Sequence, residues 1–416
     1  MSEQYDILIQ QARLRSDPDN LMDVGISDGV IKKIAKGISG SGTTEIKARG
    51  NLVSEAYVNT HLHLCKVYTL MMMGDEAMKA YHGEDGKMGS AMTGIELATK
   101  VKENYDESWI IKNVRKSVAE AAIYGNLHIR AFADVDSKAQ LEGVKALIRA
   151  REEFKGIVNL QVVAFAQDGV VREPGTEELM RQAMDLGADV VGGIPWIEYS
   201  QADIEEHVRF CYQLAEEYDK PVSMLIDDAG DPTFRSLEVM ALESIKRGWH
   251  GRSLAHHCRA MALYHQPYLM KIIALLKKAE MGIVTDPQTG PLHVPIRTLL
   301  DNDVLLCLGQ DDVSDAYYTF GRNNMLEVAF LSAHCTWMTA RPDLELFYDM
   351  ITFKASECIG RPDLKVKEGA PADLVVLDQP NVLEAFRYHE ASEVVISAGK
   401  VVDIDKMKAL AHDKEW

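Results

Sequence analysis

Residues 57–64 read Tyr57-Val58-Asn59-Thr60-His61-Leu62-His63-Leu64, a short apolar segment that includes two histidines near its end. Side chains two apart on a strand point to the same side, so His61 and His63 can share one metal ion. The spacing is weak evidence alone, because a chain with 13 histidines produces it by chance. It gains weight because polar residues also end later strand-like segments, as in the active site of a (β/α)8 barrel.

The rest of the chain fits this architecture. Amphipathic helices separate seven further strand-like segments, which span residues 129–135, 160–167, 190–196, 222–227, 253–257, 283–286 and 304–310. We therefore predict an α/β fold, a (β/α)8 TIM-type barrel with a small β-sandwich domain built from both termini. The predicted boundaries are residues 1–55 plus 366–416 for the sandwich and 56–365 for the barrel. Residues 71–99 form a long insertion, for which a lid and a packing helix are alternatives.

Composition excludes several classes of protein. The 416 residues carry a formal net charge of -18, so nucleic acid is a poor partner because phosphate contacts need clustered Lys and Arg. We expect no membrane span, since no apolar run is long enough. The six cysteines are scattered without a C-x-x-C pair, which favours reduced thiols in a cytoplasmic protein.

Polar residues lie at the ends of nearly all the predicted strands. In chain order they are His61, His63, Asp134, Gln167, Trp196, Asp227, Asp228, His256, His257, Asp286, Gln288, Asp311 and Asp312. A single strand-end aspartate is more often a helix cap than a ligand. His256 and His257 alternate in direction, so we expect only one of them to face the barrel axis. The whole set is better explained by a shared functional site, because all these residues are predicted at the same end of the barrel.

Four stretches carry a resemblance to a known family: residues 57–64, 160–167, 187–195 and 308–315. Through them the chain resembles the amidohydrolase superfamily, and within it the bacterial cytosine deaminases and isopropylammelide aminohydrolases. The resemblance runs from about Tyr5 to Val402. It implies a hydrolase that attacks a non-peptide C–N bond of a nitrogen heterocycle with metal-bound hydroxide, most simply a deaminase acting on a small-molecule heterocyclic substrate.

The resemblance also implies roles for individual residues. His61, His63 and Asp311 would hold one divalent metal ion per chain, zinc or iron. His257 would orient the hydroxide or polarise the reacting carbon, and Asp228 would shuttle the proton. We expect Gln167 to read an amide face of the ring. The full set expected to bind substrate is Gln167, Trp196, Asp312 and Tyr317. No lysine ends the third or fourth strand, so a second metal is not expected.

The chain departs from the family pattern at three places. Leu225 stands where the family has a metal-binding histidine, three residues before Asp228. We favour His257 as the third nitrogen ligand in place of the missing histidine. In the alternatives, Asp227 or Asp228 supplies the missing ligand, or the site binds metal weakly. The second departure is Cys65, which replaces an aspartate and which we expect to be a small buried thiol.

The third departure concerns aromatic residues and the substrate. Trp196, Tyr317 and Tyr318 differ from the residues that line a cytosine pocket, which argues against cytosine as the substrate. Hydrolytic opening of a cyclic amide is an alternative reaction, distinguished by the absence of ammonia. A binding protein that lost its metal is an alternative from another class, motivated by Leu225. The sequence does not determine the number of subunits, and a homo-oligomer is compatible with it.

Overall fold

The computed structural model of the chain describes residues 3–70, 72 and 98–412. Most of the 71–99 insertion lies outside the described residues, so its two alternatives stay open. Five strands precede or lead into the barrel: β1 Glu3–Leu14, β2 Asp17–Ser27, β3 Val30–Ala35, β4 Gly40–Lys47 and β5 Val53–Glu55. The first four form a sheet in the order β3-β2-β1-β4, in which β4 pairs parallel with β1.

Eight parallel strands follow and form the barrel sheet in chain order. They are β6 Tyr57–Leu62, β7 Asn126–Asp134, β8 Asn159–Ala166, β9 Val190–Gly193, β10 Val222–Ile226, β11 Ser253–His257, β12 Gly282–Thr285 and β13 Leu306–Leu308. β6 and β7 are buried along their whole length, as expected of strands covered on both faces. The predicted barrel is therefore confirmed.

Helices alternate with these strands and continue beyond the last one. The described α-helices are Glu107–Ile123, Glu142–Glu153, Thr176–Asp185, Gln201–Tyr218, Ser236–Arg247, Gln266–Ala279, Ile296–Asp301, Met325–Cys335, Arg341–Asp349, Phe353–Cys358, Val382–Tyr388 and Ile404–Ala411. Short 3-10 turns follow four barrel strands, at Leu64–Lys66, Pro195–Ile197, Arg259–Leu263 and Pro287–Thr289. These turns lie at the carboxyl ends of the strands, where a barrel places its active site.

The barrel closes at the residues predicted to bind metal. The Asp311 amide donates to the His61 carbonyl at 2.9 Å, and the His63 amide donates to the Asp311 carbonyl at 2.8 Å. Two residues earlier, a Cβ on Gly309 would lie 2.6 Å from the His61 Cβ, so only glycine permits this close approach. The seam between the first and last strands thus brings two histidines and an aspartate together.

Both ends of the chain build the smaller β-structure. Strands β14 Leu374–Val376, β15 Val394–Ser397 and β16 Lys400–Val401 form a second sheet in the order β16-β15-β14-β5. One apolar cluster joins the two terminal sheets and includes Ile7 and Val24 from the first with Leu374 and Ile396 from the second. The predicted β-sandwich from both termini is confirmed, and its residue boundaries stay a prediction.

Two expectations from composition concern the thiols and the membrane. All six cysteines are free thiols, and four of them are buried. In the part of the chain that the structure describes, none of the helices has the length and apolar character that a bilayer span requires.

Candidate active site

Three histidine nitrogens converge on one carboxylate oxygen at the mouth of the barrel. Asp311 Oδ1 lies 2.8 Å from His61 Nε2, 3.7 Å from His63 Nε2 and 3.9 Å from His257 Nε2. Two ligands of a tetrahedral zinc ion are about 3.4 Å apart when each lies at its usual distance from the metal. Among the described residues, one possible metal cluster comprises His61, His257 and Asp311, and a second comprises His63, Asp311 and Asp312. The ligand atoms within each group lie within 4.8 Å of one another, so each group fits one divalent ion, and Asp311 belongs to both.

Burial favours the metal-binding form of two of these histidines. It lowers the pKa of His61 and, more strongly, that of His63, although the Asp311 carboxylate opposes both shifts. Neutral imidazole is the form that binds a metal. His257 differs, because burial alone would lower its pKa but Asp228 and Asp286, with Asp311, raise it to about 9. Binding of a cation would therefore displace a proton from His257.

A carboxylate orients the His257 ring. His257 Nδ1 lies 3.0 Å from Asp286 Oδ1, which leaves Nε2 directed at Asp311. A carboxylate on the far nitrogen is the usual support of a metal-binding histidine. Arg259 in turn donates to Asp286 Oδ2 at 2.8 Å. Sequence reasoning missed this arginine, whose one signal is its place two residues after His257.

His256 and His257 both lie close to the axis, contrary to the expectation that only one would. Their ring centroids are 4.6 and 5.1 Å from that of His61. The strand ends at His257, whose φ of 64° turns its side chain back toward the mouth. His256 lies beneath the convergent atoms, with Nε2 3.2 Å from the Ser223 hydroxyl.

Asp227 and Asp228 have different partners, and neither joins a potential metal cluster among the described residues. The Asp227 carboxylate accepts from the Ser236 and Leu237 amides, so it caps the helix Ser236–Arg247. Asp228 Oδ1 accepts from Arg259 Nε at 2.5 Å. Asp227 is thus accounted for as a cap, whereas Asp228 remains at the mouth beside a guanidinium group.

Leu225 belongs to an apolar wall. It is 4% exposed and lies in one buried cluster with Phe132, Phe165 and Trp196, against which Tyr317 also packs. The indole Nε1 of Trp196 is buried and has no hydrogen-bond partner among the described residues. The fifth strand therefore contributes an apolar surface where the family pattern has a metal ligand.

Lys66 joins the predicted substrate residues on the opposite side from His257. Its ammonium donates to Gln167 Oε1 at 2.9 Å and lies 4.4 Å from the centre of the Tyr317 ring. Sequence reasoning missed Lys66, whose signal is its place in the turn directly after the two histidines. Asp312 is also buried, and burial together with Asp311 raises the pKa of its carboxyl well above the ordinary value.

Cys65 is a buried thiol, as expected. Its Sγ accepts the Asp134 amide at 3.3 Å and lies 3.8 Å from the Tyr105 hydroxyl. It belongs to no potential metal cluster in the described ranges. The thiol therefore fills space and accepts a backbone hydrogen bond in place of the family's aspartate.

A parallel α/β barrel with histidine and carboxylate atoms converging at its mouth defines the class of protein. The chain belongs to the amidohydrolase family, whose model matches residues 44–403. It is 30% identical to the N-isopropylammelide isopropyl amidohydrolase of Pseudomonas sp. (strain ADP), over 98% of this chain and 99% of that protein. It is 23% identical to the pterin deaminase of Rhizobium rhizogenes (strain K84 / ATCC BAA-868), over 92% of this chain and 87% of that protein.

A solved structure agrees with these relatives. The 5-methylcytosine deaminase from Klebsiella pneumoniae, liganded with phosphonocytosine, superposes with a TM-score of 0.87 at 28% identity, covering 95% of this chain and 97% of that one. The resemblance inferred from the sequence is confirmed. The chain is a hydrolase that acts on carbon–nitrogen bonds other than peptide bonds.

Proposed function

We propose that this hydrolase cleaves a carbon–nitrogen bond of a nitrogen heterocycle, most simply by removing an amino group, with one zinc or iron ion per chain. The observation that carries the proposal is the convergence of three histidine Nε2 atoms on Asp311 Oδ1. The relatives support the substrate class, because N-isopropylammelide, pterin and 5-methylcytosine are all flat nitrogen heterocycles.

The proposed metal ligands are His61, His63, His257 and Asp311. A divalent ion bound there supplies Lewis acidity, which lowers the pKa of a coordinated water. His61 and His63 offer neutral nitrogens because both are buried. This assignment makes His257 the third nitrogen ligand, so the fifth strand is not needed for coordination.

Asp228 is the proposed proton carrier between the attacking water and the leaving nitrogen. The Arg259 guanidinium holds its Oδ1, and the Asp228 side chain is 20% exposed, so it can reach a ligand in the mouth. The proposed substrate residues are Gln167, Trp196, Asp312 and Tyr317. Tyr317 would cover one face of a flat ring from the apolar wall at the mouth, and Trp196, whose buried Nε1 has no partner among the described residues, would donate to the edge of the ring.

Metal analysis and an ammonia assay test the proposal together. We expect about one equivalent of zinc or iron per chain in protein purified without added metal, measured by mass spectrometry of the elements. We also expect ammonia or amine release from at least one of a panel containing 5-methylcytosine, pterin and N-isopropylammelide. Ring opening without release of ammonia or amine would replace deamination by the cyclic amide reaction.

A matched pair of histidine variants separates the site from adventitious binding. His61→Asn should lose the metal and the activity, whereas His250→Asn, at an exposed histidine, should keep both. The proposal fails if the wild-type protein binds no metal after incubation with zinc or iron(II) and releases nothing from the panel.

A further inference from the structure

A buried carboxylate at the end of β7 has no hydrogen-bond partner in the described part of the chain. Asp134 is 0% exposed, and neither of its oxygens accepts a hydrogen bond from the described residues. The Lys66 ammonium is close, but its Nζ is 4.0 Å from Asp134 Oδ1 and so beyond hydrogen-bond distance. Buried polar groups in native proteins are almost always hydrogen-bonded. This exception therefore needs an explanation.

The strand register places Asp134 inside the mouth. Phe132, two residues earlier on β7, points into the barrel, because its ring centroid is 4.5 Å from that of His61. Asp134 shares this side of the strand and lies nearer the carboxyl end. Gln167 is the first residue after β8, so strand alternation does not place its side chain. Its contact with Lys66 does, because the Lys66 Nζ is 2.9 Å from Gln167 Oε1 and 4.0 Å from Asp134 Oδ1. Both polar side chains thus lie around one ammonium group at the mouth.

The Lys66 ammonium determines which hydrogen-bonding group of the Gln167 side chain is available to a ligand. An ammonium group only donates, so the amide must turn its oxygen to Lys66 and present its N–H donors elsewhere. Burial would lower the pKa of Lys66, but Asp134, Asp312 and Asp315 raise it above the ordinary value, which keeps the ammonium charged. Gln167 is therefore a hydrogen-bond donor at this site, and Asp134 is an acceptor.

We propose that Asp134 and Gln167 form a recognition edge for an amino-substituted azine, with Asp134 accepting from the amino N–H and Gln167 donating to the adjacent ring nitrogen. The recognised group is the amidine-like unit, an amino group on a C=N carbon, on the side of the ring away from the bond that breaks. This inference rests on the proposed function and specifies the substrate class for the same site. It assigns binding to Asp134, which the resemblance does not.

Two triazines of equal size test the edge. 2,4-Diamino-6-methyl-1,3,5-triazine and 2,4,6-trimethyl-1,3,5-triazine share the ring nitrogens and differ only in the amino groups. Isothermal titration calorimetry on the metal-loaded protein should show tighter binding of the diamino compound by about tenfold or more, since hydrogen bonds to a carboxylate are charge-assisted. Asp134→Asn should reduce this ratio by about tenfold or more, and ammonia is assayed in the same samples.

Asp227→Asn is the matched control. Asp227 is also a buried strand-end carboxylate, but it accepts from Ser236, Leu237 and Tyr264. Its variant should melt at a lower temperature and keep the wild-type ratio of the two dissociation constants. Asp134→Asn should lose less melting temperature than Asp227→Asn, because it breaks no hydrogen bond among the described residues and only weakens the 4.0 Å ion pair with Lys66.

Each outcome bears on one of the two proposals. An unchanged ratio in Asp134→Asn overturns the recognition edge, as does wild-type protein that binds both triazines equally or binds neither. Equal loss of melting temperature in the Asp134→Asn and Asp227→Asn variants, with the ratio intact, would make Asp134 structural. Discrimination between the triazines by a protein that hydrolyses no heterocycle would support the edge and reject the proposed function.

Discussion

The two sides of the barrel mouth satisfy their polar groups in opposite ways. On the charged side, formed by Asp228, His257, Arg259 and Asp286, the guanidinium bridges both carboxylates and one carboxylate orients the imidazole. On the facing side, Asp134 and the Trp196 indole are buried without hydrogen-bond partners among the described residues. The charged side is assembled without a ligand, whereas the facing side leaves polar atoms that the proposed ligand would satisfy.

Substitutions on the two sides should therefore have different effects on the stability of the protein. Removing one member of a buried ion-pair network leaves an uncompensated charge and is strongly destabilising. Removing an unpartnered polar group relieves its desolvation and affects binding instead. Variants on the charged side should therefore change metal content and stability, while removing the unpartnered polar groups of Asp134 or Trp196 should act mainly on ligand affinity.

Asp311→Asn should have the largest effect, because it removes the atom on which the three histidines converge. We expect metal affinity to fall by more than about 100-fold, since even a supporting partner of a metal ligand is worth about 10–100-fold. The loss is measured in two ways, as the metal content after dialysis and as the turnover rate. The control is Asp303→Asn at a side chain that is 90% exposed. One equivalent of metal retained in Asp311→Asn would contradict the site.

Asp286→Asn tests whether His257 is a metal ligand. If it is, weakening the hydrogen bond to Nδ1 should lower metal affinity by about 10–100-fold. Thr289→Val is the control, because it removes another contact of the same carboxylate and leaves the imidazole in place. Competition with a chromogenic zinc chelator measures both affinities. Equal affinity in wild type and Asp286→Asn would return His257 to the role of orienting water.

Leu225→His adds a possible nitrogen ligand to the apolar wall and leaves His257 in place. Without metal, the new imidazole is a buried polar group, so the free energy of unfolding should fall by about 1–3 kcal/mol. Added zinc should restore that loss and bind more tightly than to the wild type. Leu225→Met, a swap of similar volume, should cost less than about 1.5 kcal/mol and show no zinc effect. Urea unfolding with zinc or with chelator separates these outcomes.

The sequence predicted the barrel well for a physical reason, and the same reason brings the proposed metal ligands close together. Parallel strands buried on both faces are continuous apolar runs, so all eight strand positions could be read to within about three residues at each end. His61, His63 and Asp311 come together because they flank the seam that closes the barrel. Any barrel of these strands must bring the ends of its first and last strands together.

The remaining features depend on contacts that no local pattern encodes. The strand β4 has no apolar pattern of its own, because Gly40–Lys47 is mostly polar, and it becomes a strand through its parallel pairing with β1. Lys66 and Arg259 were missed because their partners come from other strands. The prediction that only one of His256 and His257 would face the barrel axis was also wrong, because the alternation of side chains along the strand ends at His257.

Trp196→Phe should have the smallest effect and sharpens the comparison between the two sides. The change removes an indole N–H that has no partner in the described structure, so the melting temperature should change little. Affinity for 2,4-diamino-6-methyl-1,3,5-triazine should fall by up to about tenfold, the value of one neutral hydrogen bond. Trp249→Phe is the control, because its Nε1 donates to the Lys220 carbonyl at 3.3 Å. Equal triazine affinity in both variants would mean that the Trp196 indole only packs against the wall, leaving Asp134 and Gln167 as the polar contacts of the facing side.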